Sequence, residues 1–156
     1  MRDGFIKVAS GTPAIQVANC EYNADAIIEL IRRAQNDGVK VLVLPELTLV
    51  GYTCGDLVLS TALTEAAMRG LERIVAFTQG SDMLIAVGVP IVYGHLLYNC
   101  AAVVQNGHVL GVIPKTHLGN YGEFYEKRSY AAALETTEIM EICGDKVPFS
   151  NRLVFT

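Results

Sequence analysis

Val41-Leu42-Val43-Leu44-Pro45-Glu46 sets four apolar residues against a proline and an acid. A short unbroken apolar run is the pattern of a strand covered on both faces. Proline disfavours helix in the residue before it, so the strand ends there and Glu46 stands at its carboxyl edge. The arrangement recurs where residues 109–113 run into Pro114 and then Lys115. Two strands thus each deliver one charge just after a proline, and the charges are opposite. A lone buried charge is costly, so each calls for a partner, and their opposite signs and similar positions would let them face each other. The plain alternative is a surface ion pair at two loop starts, worth at most about 1 kcal/mol.

Working outward, residues 5–9 (FIKVA) alternate as a first strand. Asn23 is placed to cap a helix with the apolar stripe Ile27, Leu30, Ile31 and Ala34. Tyr22 and Ile27 have the spacing of a hydrophobic staple, and Gly38 supplies the stop. Residues 60–78 read as a second helix, with Leu63, Ala67, Leu71, Ile74 and Val75 on one face and Gly80 after it. Residues 84–89 form a third strand. Residues 97–104 and 108–113 flank Asn106-Gly107, a strong hairpin signal. The order β-α-β-α-β, then a hairpin, argues for an α/β layered fold. Residues 83–104 contain no Asp, Glu, Lys or Arg and are long enough to span a bilayer. Gly88, Pro90, Gly94, His95, Asn99 and many β-branched residues instead make them two buried strands joined by a turn. Residues 116–129 (THLGNYGEFYEKRS) are polar and aromatic, and a loop after a buried strand is where α/β folds place active sites. Residues 146–156 read as a turn leading into a strand that has no partner to pair with.

Composition narrows the class. The 156 residues are 51% hydrophobic and 18% charged, which excludes intrinsic disorder. Twelve Lys and Arg against sixteen Asp and Glu leave a net charge of −4, against a nucleic-acid partner. Cys20, Cys54, Cys100 and Cys143 are scattered, without metal-site spacing, and read as reduced cytoplasmic thiols. There is no signal-peptide pattern and no membrane partner is expected. Neither GxxxxGK[ST] nor GxGxxG occurs, which weakens a nucleotide-binding reading.

The stretch Pro45-Glu46-Leu47-Thr48-Leu49-Val50-Gly51-Tyr52 resembles the first signature of the nitrilase superfamily, the carbon-nitrogen hydrolases. Pro114-Lys115-Thr116-His117-Leu118, with Tyr121, Glu123, Phe124 and Tyr125, resembles the second. Gly51-Tyr52-Thr53-Cys54-Gly55-Asp56-Leu57 and the run from Tyr121 to Glu126 are similar to the glutaminase domains of glutamine-dependent NAD synthetases. The resemblance covers nearly the whole chain. It implies a four-layer α-β-β-α sandwich, of which residues 1–156 are the amino-terminal part. The rest of that domain and an ATP-dependent synthetase domain would lie outside this chain.

The resemblance also implies a Glu-Lys-Cys mechanism. Glu46 would be the general base and Lys115 would hold the oxyanion. Glu123 would orient the lysine, although a solvated loop carboxylate is the bland alternative. Tyr52, Tyr121 and Phe124 would line the glutamine pocket. The nucleophile falls in a motif like E-x-C-x-D/E, and Glu141-Ile142-Cys143-Gly144-Asp145 matches it letter for letter. We set that match aside: it comes too soon after Lys115, and residues 130–141 lack the strands that should intervene. Cys54 belongs to the GYTCGDL signature, and Cys20 and Cys100 read as small core residues. The catalytic cysteine is therefore expected beyond residue 156, and this chain alone is expected to be inactive. The intact protein would hydrolyse glutamine and pass ammonia to amidation of deamido-NAD. ATP and Mg would belong to the synthetase domain, with no metal or cofactor for these residues, and homo-oligomers would form. A stand-alone amidase or nitrilase on a small amide, and a non-catalytic nitrilase-like module, remain the alternatives.

Overall fold

A computed structural model describes residues 4–156. In chain order the elements are β1 (Lys7–Ser10), α1 (Cys20–Asn36), β2 (Val39–Val43), α2 (Thr61–Phe77), β3 (Leu84–Tyr93), β4 (Leu96–Gln105), β5 (His108–Pro114), β6 (Glu138–Ile142) and β7 (Asp145–Phe149). A 3-10 segment, Tyr52–Leu59, precedes α2, and a single 3-10 turn, Glu126–Arg128, follows β5. All seven strands join one sheet in the order β1-β2-β3-β4-β5-β7-β6. β1, β2, β3, β5 and β7 run in one direction, and β4 and β6 run against them.

Three hairpins turn through pairs of left-handed residues: Gly94-His95, Asn106-Gly107 and Cys143-Gly144. Positive φ at both central positions matches the twist of the strands they join. The 83–104 segment is the first of these hairpins, as its glycines and proline implied. Among the described residues no helix is long and apolar enough to cross a membrane.

The helices cover one face of the sheet. Leu42, Ile85 and Val87 are completely buried, as are Ile27, Ile31, Leu71 and Ile74 on the helix stripes. Each such side chain contributes roughly 1.5–3 kcal/mol of burial. Alternation puts Val43 and its partner Ala86 on the opposite face, where Val43 is 48% exposed. The expectation that β2 is covered on both sides therefore fails within the described residues. One sheet and one helix layer are present, an α/β arrangement that supplies two layers of the expected four-layer sandwich.

Further expectations are corrected. Asn19, not Asn23, caps α1: its side chain accepts the Tyr22 N–H at 3.2 Å. Tyr22 accordingly lies inside the first turn, and the staple does not form. Asn23 is buried within the helix and ties two loops to it, donating to Gln16 O at 2.8 Å and Leu49 O at 2.9 Å. Residues 138–142 are a strand, and β7 is not unpaired. It lies between β5 and β6, bonded to both. Residues 151–156 carry no strand assignment.

Candidate active site

The first requirement is to bring Glu46 across the sheet. It leaves β2, while Lys115 leaves β5, and β3 and β4 lie between. At about 4.8 Å per strand the gap is roughly 14 Å. The turn after β2 leans over β3 to shorten it. A Cβ on Gly88 would stand 2.5 Å from Leu47 N and closer still to Pro45 O. Only glycine admits this approach. Leu49 N then donates to Gly88 O at 3.2 Å. Within the turn Thr48 Oγ1 donates to Pro45 O, and Val50 N and Gly51 N donate to Leu47 O. Leu47 takes a left-handed φ of 52° and is 1% exposed. A strained backbone beside the carboxylate is held by a buried side chain.

Lys115 closes the constellation. Its Nζ lies 2.7 Å from Glu46 Oε1 and 2.9 Å from Glu126 Oε2. Glu126 is the group that sequence reasoning missed. Its carboxylate accepts Gly119 N–H at 2.6 Å and Tyr52 O–H at 3.2 Å. Burial opposes its charge, but the hydrogen bonds from Lys115 and Gly119 outweigh that and hold its pKa below the usual carboxylate range. Burial likewise opposes the Lys115 ammonium, and bonding to Glu46 and Glu126 leaves its pKa raised overall. Asn99 on β4 is 2% exposed and donates Nδ2 to Glu46 Oε1 at 2.7 Å and to Glu126 Oε1 at 3.3 Å. Nothing in its local sequence marks it as part of a site.

Glu123, assigned above to orient Lys115, is exposed and is not the carboxylate on the ammonium. It lines a neighbouring cleft with Cys54, Phe124 and Tyr130. Glu126 takes the orienting position because the chain folds back there: Glu126 N donates to Gly119 O while its side chain accepts from Gly119 N. Tyr52, Tyr121 and Phe124 do gather at the charged pair. With Glu46, Lys115 and Glu126 they line a cleft of about 630 Å³. The Phe124 ring meets Tyr52 edge-on at 6.1 Å and Tyr121 at 5.6 Å. Arg128 and Asp56 pair at 2.6 Å, joining the two loops that frame the cleft.

Cys54 lines the cleft beside the charged pair with Tyr52 and Glu126, but no thiol is among the described hydrogen-bond partners of Glu46, Lys115 or Glu126. Cys20, Cys54 and Cys100 are buried, and desolvation pushes each thiol pKa up. Cys143 sits in the β6–β7 turn. Asp145, beside it, bonds His108 at 3.0 Å and Val109 N at 2.8 Å, at the opening of β5. Lys115 follows the other end of β5, roughly 20 Å away at about 3.3 Å per residue. Desolvation also raises the Cys143 thiol to about 11, the wrong direction for a nucleophile. The described residues hold no cluster of three His, Cys, Asp or Glu side chains placed for a metal ion.

Comparison with known proteins bears on this geometry. The carbon-nitrogen hydrolase family profile matches residues 7–151. A glutamine-dependent NAD(+) synthetase from Mycobacterium tuberculosis is 36% identical over 154 residues, 97% of this chain and 22% of that protein. The crystal structure of a glutamine-dependent NAD(+) synthetase from Cytophaga hutchinsonii superposes with a TM-score of 0.86 at 32% identity, over 92% of this chain and 25% of that one. An amidase from Nesterenkonia sp. shares the fold, with a TM-score of 0.73 at 19% identity over 95% of this chain and 56% of that one. The chain thus spans about a fifth of the length of the synthetases it matches.

Proposed function

We propose, from the premise that this chain belongs to the carbon-nitrogen hydrolase family, that it is the amino-terminal part of the glutaminase domain of a glutamine-dependent NAD synthetase. The observation that carries the proposal is the Lys115 ammonium held between Glu46 and Glu126 beside an aromatic cleft. The similarity to synthetases over nearly the whole chain supports glutamine as the amide.

The chemistry would run through a cysteine outside residues 1–156. Glu46 takes the thiol proton as sulfur attacks the glutamine side-chain carbonyl. Lys115 stabilises the oxyanion that forms. The C–N bond then breaks, the Glu46 proton passes to the leaving nitrogen, and ammonia departs from a thioester. Glu46 next deprotonates water, which attacks the thioester to release glutamate and restore the thiol. The ammonia would amidate deamido-NAD in a separate synthetase region, to which we assign ATP and Mg. A cytoplasmic location and homo-oligomeric assembly belong to the same reading.

The test is ammonia release by the intact protein. Glutamine is expected to be hydrolysed, and Glu46→Gln or Lys115→Met is expected to reduce release by 10²-fold or more, on the order of a general base or oxyanion donor. Residues 1–156 alone are expected to release none. Preference for a small amide over glutamine, without coupling to NAD formation, would favour a stand-alone amidase and sink this reading.

A further inference from the structure

We infer that Asn99 is a positioning residue: its amide holds both site carboxylates around one ammonium and dedicates a single oxygen of Glu46 to proton transfer. The inference deepens the glutaminase reading and rests on it for the word transfer. The placement of Asn99 stands on geometry alone.

Asn99 bonds both carboxylates and the backbone of the lysine between them. Its Nδ2 donates to Glu46 Oε1 at 2.7 Å and Glu126 Oε1 at 3.3 Å, and its backbone carbonyl accepts Lys115 N–H at 2.8 Å. The amide orientation is fixed by chemistry, because two carboxylate oxygens can be faced by the NH₂ group and not by Oδ1. The residue itself is locked. It is 2% exposed in the middle of β4, opposite Pro90 of β3. Its carbonyl turns toward β5, so Pro90 needs no N–H at this position. A rigid central strand therefore presents two amide hydrogens to two carboxylates that leave different loops.

The consequence falls on Glu46. Its Oε1 is occupied twice, by Asn99 and by Lys115. Among the described hydrogen bonds Oε2 has none, so it is the oxygen left to accept a proton. Without Asn99, the two like charges would share the ammonium with no donor between them, and Lys115 alone would hold the Glu46 carboxylate. Tyr52, Tyr130 and His117 also surround the pair, but none of them bonds Glu46.

The test compares Asn99→Leu, which keeps the volume and loses the donor without adding charge, with Asn99→Asp, which keeps the shape, loses the donor and adds a third carboxyl. Side-chain carboxyl ¹³C titrations in the intact protein read the pair without requiring turnover. In parallel, kinetics with glutamine measure kcat, KM and the acid limb of kcat/KM. The expected result is a move of the carboxyl titration and of the acid limb to higher pH in both variants, because a hydrogen bond to the charged form is lost, and a larger move in Asn99→Asp, where a like charge is added. We expect kcat to fall about 10²-fold with KM within about 3-fold, as for a misplaced catalytic group. Unmoved titrations in a folded variant overturn the inference. So does a fall in kcat with an unmoved acid limb, which marks a merely structural residue. Moved titrations in a protein that never hydrolyses glutamine refute the glutaminase reading while keeping Asn99 as the hub of the pair.

Discussion

Two regions of this chain carry the family's letters, and only one carries the geometry. At the carboxyl edge of β2 and β5, Glu46 and Lys115 are far apart in sequence and 2.7 Å apart in space. In the β6–β7 turn, Glu141-Ile142-Cys143-Gly144-Asp145 matches a nucleophile motif in five consecutive residues, yet it lies at the opposite end of β5. The difference teaches that a motif acts through where its strand ends. Glu46 and Lys115 are delivered by parallel strands to the same edge. Cys143 is spent on a tight turn, with φ of 51° followed by 83° at Gly144.

The largest expected effect would break this contrast outright. In the intact protein Lys115→Met or Glu46→Gln should cost 10²-fold or more in glutamine hydrolysis, whereas Cys143→Ser should change it less than twofold. Loss of turnover in Cys143→Ser would move the nucleophile to the turn. Next comes Gly88→Ala, which drives a methyl into the Pro45–Leu47 backbone. We expect a drop of about 10²-fold in kcat from displacement of Glu46, together with a lower melting temperature.

A smaller effect separates the two loop glutamates. Glu126→Gln should lower kcat by more than tenfold, and Glu123→Gln by less than threefold, in the same ammonia assay. An equal effect of the two would return the orienting role to Glu123. The pH dependence of stability sharpens the same point. Glu126 has a depressed pKa in the folded protein, so its contribution is present above its unfolded value of about 4.3 and is lost as pH falls through the folded pKa. Lys115 has a raised pKa, so its contribution is present below about 10.4 and is lost as pH rises through the folded value. Urea unfolding of Glu126→Gln should show a flatter acid limb than the unsubstituted protein. Arg128→Ala, which removes an exposed pair with Asp56, should cost 1 kcal/mol or less, visible as a small shift of the urea midpoint.

Much of the architecture was legible in the residues because the relevant signals are local. Asn106-Gly107 marks its hairpin, the stripe Leu63, Ala67, Leu71, Ile74 and Val75 marks α2, and all five are buried. The edge position of Glu46 followed from the proline before it. What escaped was set by contacts between distant segments. Asn19 and Asn23 both precede the same apolar stripe, and only packing against Gln16 and Leu49 shows which caps and which is buried. β6 reads as an irregular run because only Met140 and Ile142 turn inward, the remainder lying at a sheet edge. Glu123 and Glu126 occupy one loop, and the fold-back at Gly119 chooses between them. Asn99 is one polar residue in an apolar strand, a signal equally suited to a turn or a mistake in register.

The left-handed turn residue beside Glu46 has a consequence for which substitutions this chain can tolerate. At position 47 the backbone and the interior impose opposite demands. A φ of 52° disfavours Val, Ile and Thr, whose branched Cβ crowds that conformation. Glycine relieves the backbone by roughly 1–2 kcal/mol, but it leaves a hole where a fully buried Leu stood, at about 2–5 kcal/mol. Asn suits the backbone and brings an amide that would have to find partners in an apolar site. Leu47 therefore has few exchangeable neighbours in sequence space, and the constraint arises from the shape of the turn that carries the carboxylate.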